Sequence, residues 1–261
     1  MKDKPLITIA TVTYNAERVL DRTLQSVEQQ TYPYIEHLII DGCSSDSTLS
    51  YVRRYVERNA MPTHNIRIVC AKDTGLYDAM NKAISLADGA YIVFLNAGDK
   101  LHEPITIEQL VACIDWEHRG VNPAILYGET DLVDNQGKFL RHRRLKTPEK
   151  LTANSFLMGM LVCHQSFYVR TDIARSYPYD LQYQFSSDYD WCIRIIKHAE
   201  RRRLRILNSN LILTDYLSEG LTTKNHRKSL QERFKVMSHH YGTTRAVISH
   251  LWFVVRAIIK R

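Results

Sequence analysis

Short apolar runs alternate with helical patterns over the first hundred residues of the chain. The first run is LITIATV at residues 6–12, and later ones occur in YIEHLIIDG, IRIVC and AYIVFL. Between these runs, apolar residues recur every three or four positions, which is typical of an amphipathic helix. Short strands without a polar face that alternate with helices predict a mostly parallel central sheet covered by helices on both faces. We therefore expect an α/β fold.

The regular alternation ends after residue 99, where helical and strand patterns become mixed. The elements predicted from there on are a helix around residues 104–118, a hairpin turn at Asn135-Gln136-Gly137, a helix from Asp188 to Ala199, a pair of strands in RLRILNSNLILT and a helix over residues 227–240.

The positive charge of the chain is concentrated in its last quarter. The formal net charge is +7, and residues 200–261 hold 13 Lys and Arg against 4 Asp and Glu. A basic tail favours anionic partners such as nucleic acid, phosphorylated ligands or an acidic membrane surface. The five cysteines form no C-x-x-C pair, so we expect reduced thiols in the cytosol and neither a disulfide framework nor a zinc site built on them.

Polar residues follow the predicted strands at the edge where ligands of open α/β sheets bind. They are Thr13-Tyr14-Asn15 after the first strand, Asp41-Gly42 after the second, Lys72-Asp73 after the third and Asn96-Ala97-Gly98-Asp99 after the fourth. A single aspartate there is most often a helix cap or a turn residue. Three that converge repel one another unless a cation or a donor offsets their charge. A divalent metal ion with a diphosphate would do so, and neither G-x-G-x-x-G nor G-x-x-x-x-G-K-[ST] is present to bind phosphate instead.

Six motifs follow one another along residues 5–225: TVTYN, DGCSSDST, DTGLYDAMNKAI, FLNAGD, CHQSFYVR and SSDYDWCIRI. In this order they resemble family 2 glycosyltransferases with the GT-A fold. The resemblance implies a hexosyltransferase-type enzyme that transfers a sugar, with inversion, from a nucleotide-sugar, usually UDP-linked. The implied acceptor is a hydroxyl of a glycan or a lipid-linked molecule, and the implied cofactor is Mn²⁺ or Mg²⁺.

The resemblance also implies roles for individual residues. Asp188 would be the catalytic base, and Asp99 would bind the metal ion. A lone histidine is more often structural, and this is the alternative to a site role for His164. The residues implied for the nucleotide are Thr13, Tyr14, Asn15, Asp41, Asp73 and Asn96, and those implied for the donor sugar or the acceptor are Gly159, His164, Gln165 and Lys224.

The chain departs from the family pattern at three places. Asn96-Ala97-Gly98-Asp99 stands where the family often has D-x-D-D, Ser187 replaces the Glu of its E-D element, and Gly42 stands where a second aspartate often follows the first. One carboxylate would then serve the metal ion, aided by the Asn96 carbonyl oxygen. Asp190 is a rival base, but on a helix it diverges from Asp188 by about 200°. We expect Asp190 to pair or cap instead.

The resemblance predicts a catalytic domain over residues 1–226, with a nucleotide-binding half at 1–100 and an acceptor half at 101–226. A basic helical extension follows at 227–261, and it is too short and too charged to span a bilayer. Its apolar face would lie in an anionic membrane interface, on its own domain or on a twin chain in a homodimer. The first residues lack the long apolar core of a signal peptide. The expected location is the cytoplasm, peripheral to the inner face of the cell membrane.

Two other functions are open at this point. A sugar-phosphate nucleotidyltransferase also has an α/β nucleotide fold, but it should carry a glycine-rich loop after the first strand, and TVTYNAERVL has no glycine. A non-catalytic module that binds nucleotides or polyanions fits the reduced acidic motif and the basic tail. Nucleic acid is not expected as a partner, because the aromatic residues of the tail lie in apolar helical stretches rather than among exposed basic residues.

Overall fold

The computed structural model describes residues 4–58, 64–114, 122–218 and 226–259. In these residues nine strands form one sheet, against which the helices pack. The strands are β1 (Ile7–Thr13), β2 (Ile35–Asp41), β3 (His64–Cys70), β4 (Tyr91–Phe94), β5 (Lys100–Leu101), β6 (Ile125–Val133), β7 (Phe139–His142), β8 (Phe167–Arg170) and β9 (Ile206–Leu217). The α-helices are α1 (Leu20–Glu28), α2 (Thr48–Arg58), α3 (Leu76–Leu86), α4 (Thr106–Ala112), α5 (Thr171–Ser176), α6 (Ser187–Arg201), α7 (His226–Tyr241) and α8 (Thr243–Ile259), and short 3₁₀ helices span Ala153–Met158 and His164–Ser166.

The strands lie in the order β3-β2-β1-β4-β8-β6-β9-β5, and β7 pairs with β6. The first four strands along the chain are parallel neighbours, which confirms the prediction for the first hundred residues. Their register places Thr13 beside Asp41, so the polar ends of β1 and β2 meet at one edge of the sheet. β8 runs antiparallel to both β4 and β6, and a single mixed sheet therefore continues from the first half of the chain into the second.

Apolar side chains cover both faces of the parallel strands. Every residue of β1 and β2 is buried, and successive side chains of β1 point to opposite faces. Ile9 packs into a cluster with residues of α1 and α4, and Ala10 into a second cluster with residues of α3 and α6. Val236 and Met237 of α7 are buried in this second cluster. The first part of the predicted extension is thus packed into the core of the domain.

Helix α8 has one packed side and one exposed side. Ala246 and Ser249 are buried, and the ring of His250 lies 5.2 Å from that of Phe234 on α7. The exposed large apolar side chains of α8 are Val247, Ile248, Leu251, Trp252, Val254, Val255 and Ile258. No helix in the described parts of the chain has both the length and the apolar run that crossing a bilayer requires.

The hairpin turn before β7 is confirmed, and the predicted pair of strands in RLRILNSNLILT is wrong. Gly137 has a φ of 81°, and the N–H of Asp134 donates to the carbonyl of Lys138 at 3.0 Å. The later segment forms the single strand β9, in which Asn210 has a φ of 55°. The register against β6 shifts here, opposite Gly128, where a Cβ would lie 2.5 Å from the carbonyl oxygen of Leu211. The polar residues therefore form a bulge within one strand rather than a turn between two.

Candidate active site

The carboxylate of Asp41 joins the loops that follow β1 and β2. It is fully buried and accepts hydrogen bonds from the Thr13 hydroxyl (2.9 Å), the Ser44 hydroxyl (2.6 Å) and the Ser44 N–H (2.7 Å). The N–H of Asn15 donates to the Ser44 hydroxyl at 2.8 Å. Asp41 thus fixes the loop that presents Tyr14, and its direct contact with a nucleotide stays a prediction.

Tyr14, Gly42 and Asp73 meet beside this network. A Cβ on Gly42 would lie 2.7 Å from Oδ2 of Asp73 and 3.2 Å from ring carbon Cδ2 of Tyr14. A second aspartate at position 42 would therefore overlap Asp73 in this chain. The Tyr14 side chain is 66% exposed, and Asp73 accepts a hydrogen bond from the N–H of Gly75 at 3.0 Å. An exposed ring beside a carboxylate can stack on a base while the carboxylate accepts hydrogen bonds from hydroxyl groups.

Asp99 lies buried in the loop between β4 and β5. Its Oδ2 accepts a hydrogen bond from the Gln165 amide, and its Oδ1 accepts one from the N–H of Leu217, both at 2.9 Å. Gly98 has a φ of 102°, and a Cβ there would lie 2.8 Å from the Leu217 side chain. Burial raises the pKa of Asp99 to about 6, although the two hydrogen bonds act in the opposite direction.

His164 links the end of β4 to the start of α6. Its Nε2 lies 3.1 Å from Nδ2 of Asn96, and its Nδ1 lies 3.2 Å from Oδ2 of Asp188. Both contacts are satisfied when Nδ1 carries the proton, because Nδ1–H then donates to Asp188 while Nε2 accepts from the Asn96 amide. Asn96, His164 and Asp188, three residues predicted from separate motifs, thereby form one hydrogen-bonded row.

Asp188 lies in the first turn of α6, where the helix dipole favours a negative charge. Its Oδ1 accepts hydrogen bonds from the Tyr77 hydroxyl (3.1 Å) and the N–H of Tyr189 (2.8 Å). Burial raises the pKa of Asp188, but the contact with His164, the Tyr189 N–H and the charge of Arg233 outweigh this effect and hold the pKa below its usual value. The side chain is still 21% exposed. It is an ionised carboxylate that a ligand can reach.

Asp190 points away from this row, as predicted. Its carboxylate pairs with Arg194 at 2.6 Å and with Nε2 of His240 on α7 at 2.7 Å. This confirms that Asp190 pairs within the chain. It holds α7 against α6, which leaves Asp188 as the aspartate of this helix in contact with His164.

The neighbours of a Cβ at Gly159 include no residue of the predicted site, and its role there stays a prediction. It has a φ of 109° after the 3₁₀ helix, and a Cβ there would be 3.4 Å from Leu145 and 3.8 Å from Arg256. Lys224 lies outside the described residues. The other predicted site residues form two groups. The first lies around Asp41 and Asp73, and the second lies around Asp99 and Asp188. Among the described residues no hydrogen bond joins the two groups.

Sequence reasoning missed two residues that shape the site. Tyr77 donates to the candidate base, and Ser44 accounts for two of the hydrogen bonds to Asp41. The spacing of Asp41 and Ser44 is a recognisable turn pattern, in which an aspartate accepts from a nearby backbone N–H. Tyr77 lies within the quoted motif DTGLYDAMNKAI but carries no signal of its own.

A divalent cation fits the second group of residues. Oδ1 of Asn96 is buried and has no hydrogen-bond partner in the described parts of the chain. His164 contacts Asn96, and the adjacent Gln165 binds Asp99, so the amide oxygen and the carboxylate are held by neighbouring residues. Carboxylate and amide oxygens are the ligands that Mg²⁺ and Mn²⁺ prefer.

Residues 8–177, which include nearly all of β1 and the whole of β2 to β8, match the family described as Glycosyl transferase family 2. The relative named "PGL/p-HBAD biosynthesis glycosyltransferase" of Mycobacterium bovis is 30% identical over 193 residues, which cover 73% of this chain and 69% of that protein. The chain belongs to glycosyltransferase family 2, as the order of its motifs predicted.

Two solved structures are similar to this one. S. aureus TarS 1-349 in complex with UDP has a TM-score of 0.67 at 17% identity and covers 92% of this chain and 68% of its own. The mannosyltransferase PcManGT from Pyrobaculum calidifontis, in complex with GDP-Man and Mn²⁺, has a TM-score of 0.62 at 15% identity and covers 95% of this chain and 74% of its own. This likeness confirms the predicted GT-A fold.

Proposed function

We propose that this protein is an inverting glycosyltransferase that moves a sugar from a UDP-sugar to a hydroxyl of a lipid-linked or polysaccharide acceptor. The observation that carries the proposal is the environment of Asp188. Its carboxylate is ionised, reachable from solvent and fixed by Tyr77, the Tyr189 N–H and His164. A base needs this fixed position more than a high pKa when the transition state is cation-like at the sugar.

Asp188 accepts the proton of the acceptor hydroxyl as the acceptor oxygen attacks the anomeric carbon. The new bond forms on the face opposite the diphosphate, and the bond from the anomeric carbon to the diphosphate oxygen breaks, so the electron pair leaves with the nucleoside diphosphate. His164 donates to Oδ2 of Asp188 and Tyr77 donates to Oδ1. These contacts keep the carboxylate oriented while its charge is neutralised by the incoming proton.

The cation supplies charge neutralisation on the departing diphosphate when it is bound. Asp99 would hold it, with Oδ1 of Asn96 as a further ligand. The unpaired amide oxygen and the raised pKa of the buried Asp99 carboxyl support this assignment, because both groups are less stable without a cation beside them.

The experiment that tests the function is a screen of nucleotides and nucleotide-sugars by thermal shift, with and without Mn²⁺. UDP and a UDP-sugar are expected to raise the melting temperature, and Mn²⁺ is expected to increase the effect. Absence of any nucleotide-dependent shift contradicts the proposal. Release of pyrophosphate from a nucleoside triphosphate and a sugar phosphate supports the nucleotidyltransferase instead, and binding without turnover supports the non-catalytic module.

Tyr14→Ala is expected to weaken UDP binding by about fivefold to 150-fold. The exposed ring beside Asp73 supports base stacking, which contributes about 1–3 kcal/mol per base. Isothermal titration with UDP and Mn²⁺ measures the change. Tyr34→Ala removes another exposed tyrosine, just before the start of β2 and so at the opposite end of that strand from Asp41, and is expected to leave affinity unchanged. Equal affinity in the Tyr14 variant and the wild type rules out stacking on this ring.

The exposed side of α8 supports the proposal that the protein binds peripherally to an anionic membrane. Such binding would also place the enzyme next to a lipid-linked acceptor. The apolar side chains lie together on one side of the helix, and Arg245 and Arg256 are on the same helix. The last quarter of the chain carries the excess of positive charge. An apolar face with basic residues around it suits the interface of an anionic bilayer, where each basic residue contributes about 1 kcal/mol.

Replacing Leu251 and Trp252 by glutamate is expected to reduce partitioning onto anionic vesicles by at least tenfold. The change removes apolar area from the interface and adds negative charge near the anionic lipid. Sedimentation with phosphatidylglycerol vesicles measures it, and Leu181→Glu, at another exposed leucine, serves as the matched control. Unchanged sedimentation of the double variant favours the homodimer, which size-exclusion chromatography with light scattering then detects.

A further inference from the structure

A row of polar side chains crosses the strands at the β5 end of the sheet. Asp215 of β9 pairs in register with Lys100 of β5 and with Asp131 of β6. Asp131 in turn pairs with His142 of β7. Residues directly opposite each other in a ladder point to the same face, and His102 follows Lys100 by two positions. We call His102, Asp131, His142 and Asp215 the sheet-edge cluster.

The sheet-edge cluster brings two imidazoles onto two buried carboxylates. Nδ1 of His102 lies 2.7 Å from Oδ1 of Asp215, and Nδ1 of His142 lies 2.8 Å from Oδ1 of Asp131. One ligand atom from each of His102, Asp131 and Asp215 lies within 4.8 Å of the other two. Asp131 is 3% exposed and Asp215 is 5% exposed. Three groups that can bind a metal ion thus converge, and His142 contacts the carboxylate of one of them, Asp131.

The cluster holds more negative charge than its lysine can neutralise. Lys100 pairs with Oδ2 of Asp215 at 2.9 Å. In the described parts of the chain, Asp131 forms its ion pair with His142, whose side chain is 73% exposed. Two buried carboxylates side by side repel each other unless further positive charge lies between them.

We propose that the sheet-edge cluster binds one divalent transition-metal ion of the zinc class through His102, Asp131 and Asp215, with the exposed His142 turning in as the fourth ligand. Mixed nitrogen and oxygen ligands, four in number, suit Zn²⁺, whereas Mg²⁺ prefers oxygen alone. In a tetrahedral site with bonds of about 2.0–2.1 Å, ligand atoms are about 3.4 Å apart. The contact between His102 and Asp215, now 2.7 Å, therefore opens by less than about 1 Å as the ion takes the place of the proton between them. Lys100 keeps its contact with the second oxygen of Asp215.

The ion has a route into the cluster. A cavity of about 230 Å³ is lined by Lys100 and His102, together with residues of α1 and of the turn before β7. His142, on the edge strand β7, is itself exposed to solvent.

The cluster lies next to the segments that position Asp99. His102 follows Asp99 by three residues, and Asp215 precedes Leu217, the residue whose N–H donates to the Asp99 carboxylate. In the described parts of the chain, no hydrogen bond or ion pair links Asp99 itself to the cluster. The ion would thus be structural. It would clamp β5 to β9 and so fix the loop that carries Asp99, separately from any cation at the diphosphate.

The experiment titrates tag-free, metal-free full-length protein with Zn²⁺ by isothermal titration, and with Co²⁺ as a spectroscopic probe. No nucleotide is added, so the diphosphate that would complete the cation site at Asp99 is absent. We expect one ion per chain and the intense visible absorption of tetrahedral Co²⁺. His102→Gln, Asp131→Asn and His142→Gln are each expected to weaken binding at least tenfold. Asp99→Asn, which removes the other candidate metal ligand, and His239→Gln, which removes an exposed histidine elsewhere, are expected to bind as the wild type does.

Three results would overturn the proposal. They are no stoichiometric binding by the wild type, unchanged binding by the cluster variants, and loss of binding on Asp99→Asn alone. His142 lies on an edge strand and is exposed, so its variant keeps the test decisive if substitution of the buried Asp131 prevents folding.

Discussion

Asp188→Asn is expected to lower the rate of sugar transfer by about 10²–10⁴ while UDP affinity stays within a few-fold of the wild type. General-base catalysis contributes about this factor, and asparagine cannot accept the proton of the acceptor hydroxyl. The amide oxygen can still accept the hydrogen bonds from Tyr77 and Tyr189, so the start of α6 is preserved. Release of UDP in the presence of acceptor measures turnover, and isothermal titration measures affinity.

Asp190→Asn is the matched control for this change. Asp190 is on the same turn of α6, but its carboxylate contacts Arg194 and His240 rather than His164. Its substitution is expected to lower stability and to leave the turnover of folded protein nearly unchanged. If Asp188→Asn retains wild-type turnover, or if Asp190→Asn is the inactive variant, then Asp188 is not the base.

Asp99→Asn is expected to have opposite effects on metal binding and on stability. It removes the buried carboxylate proposed to bind the cation, so Mn²⁺ should no longer enhance UDP binding. Without metal the same change should stabilise the fold above pH 6, because a neutral amide has no charge to desolvate. The amide oxygen can accept from Leu217, and the Gln165 amide can turn to accept from the new NH₂ group.

The sign of the pH dependence follows from the raised pKa of Asp99, about 6. The folded state holds this proton more tightly than the unfolded state does. Burial of Asp99 therefore leaves the free energy of unfolding unchanged below pH 4, where the carboxyl is protonated in both states, and lowers it fully above pH 6. A shift of about two units corresponds to an upper value of about 3 kcal/mol in the free energy of unfolding. Wild type and variant should therefore be equally stable near pH 4, and the variant should be more stable at pH 8.

Urea unfolding in EDTA at both pH values measures this difference. Asp88→Asn replaces an exposed aspartate and is expected to show no such gain at pH 8. Equal stability of Asp99→Asn and wild type at pH 8 would mean that burial does not penalise the charge of Asp99. Undiminished enhancement of UDP binding by Mn²⁺ in the variant would exclude Asp99 as the metal ligand.

The parallel half of the sheet could be predicted from sequence because its strands are buried on both faces. Runs such as LITIATV have no polar face, and only a helix-covered parallel sheet accommodates them. The bulge in β9 could not be predicted in the same way. Its polar residues NSN are typical of a turn, and what keeps the strand continuous is Gly128 on β6, a residue far away in the sequence.

Side-chain contacts join several of the predicted residues of the second group. Asn96, His164 and Asp188 contact one another in a row, and Gln165, next to His164 in sequence, contacts Asp99. Asp41 shows the limit of the strand-end rule. That rule places a residue at an edge of the sheet but does not say whether its oxygens face a ligand, and those of Asp41 face Thr13 and Ser44.

The position of β8 in the sheet has a consequence for how the chain is made. β4 is an edge strand until β8 pairs with it, and β8 is translated long after β4. During synthesis on the ribosome, the four parallel strands therefore expose an apolar, unpaired edge until β8 is made. Other chains can pair with such an edge and aggregate. A fragment ending near residue 100 would keep that edge permanently, so the first half of this enzyme is expected to aggregate when it is expressed alone.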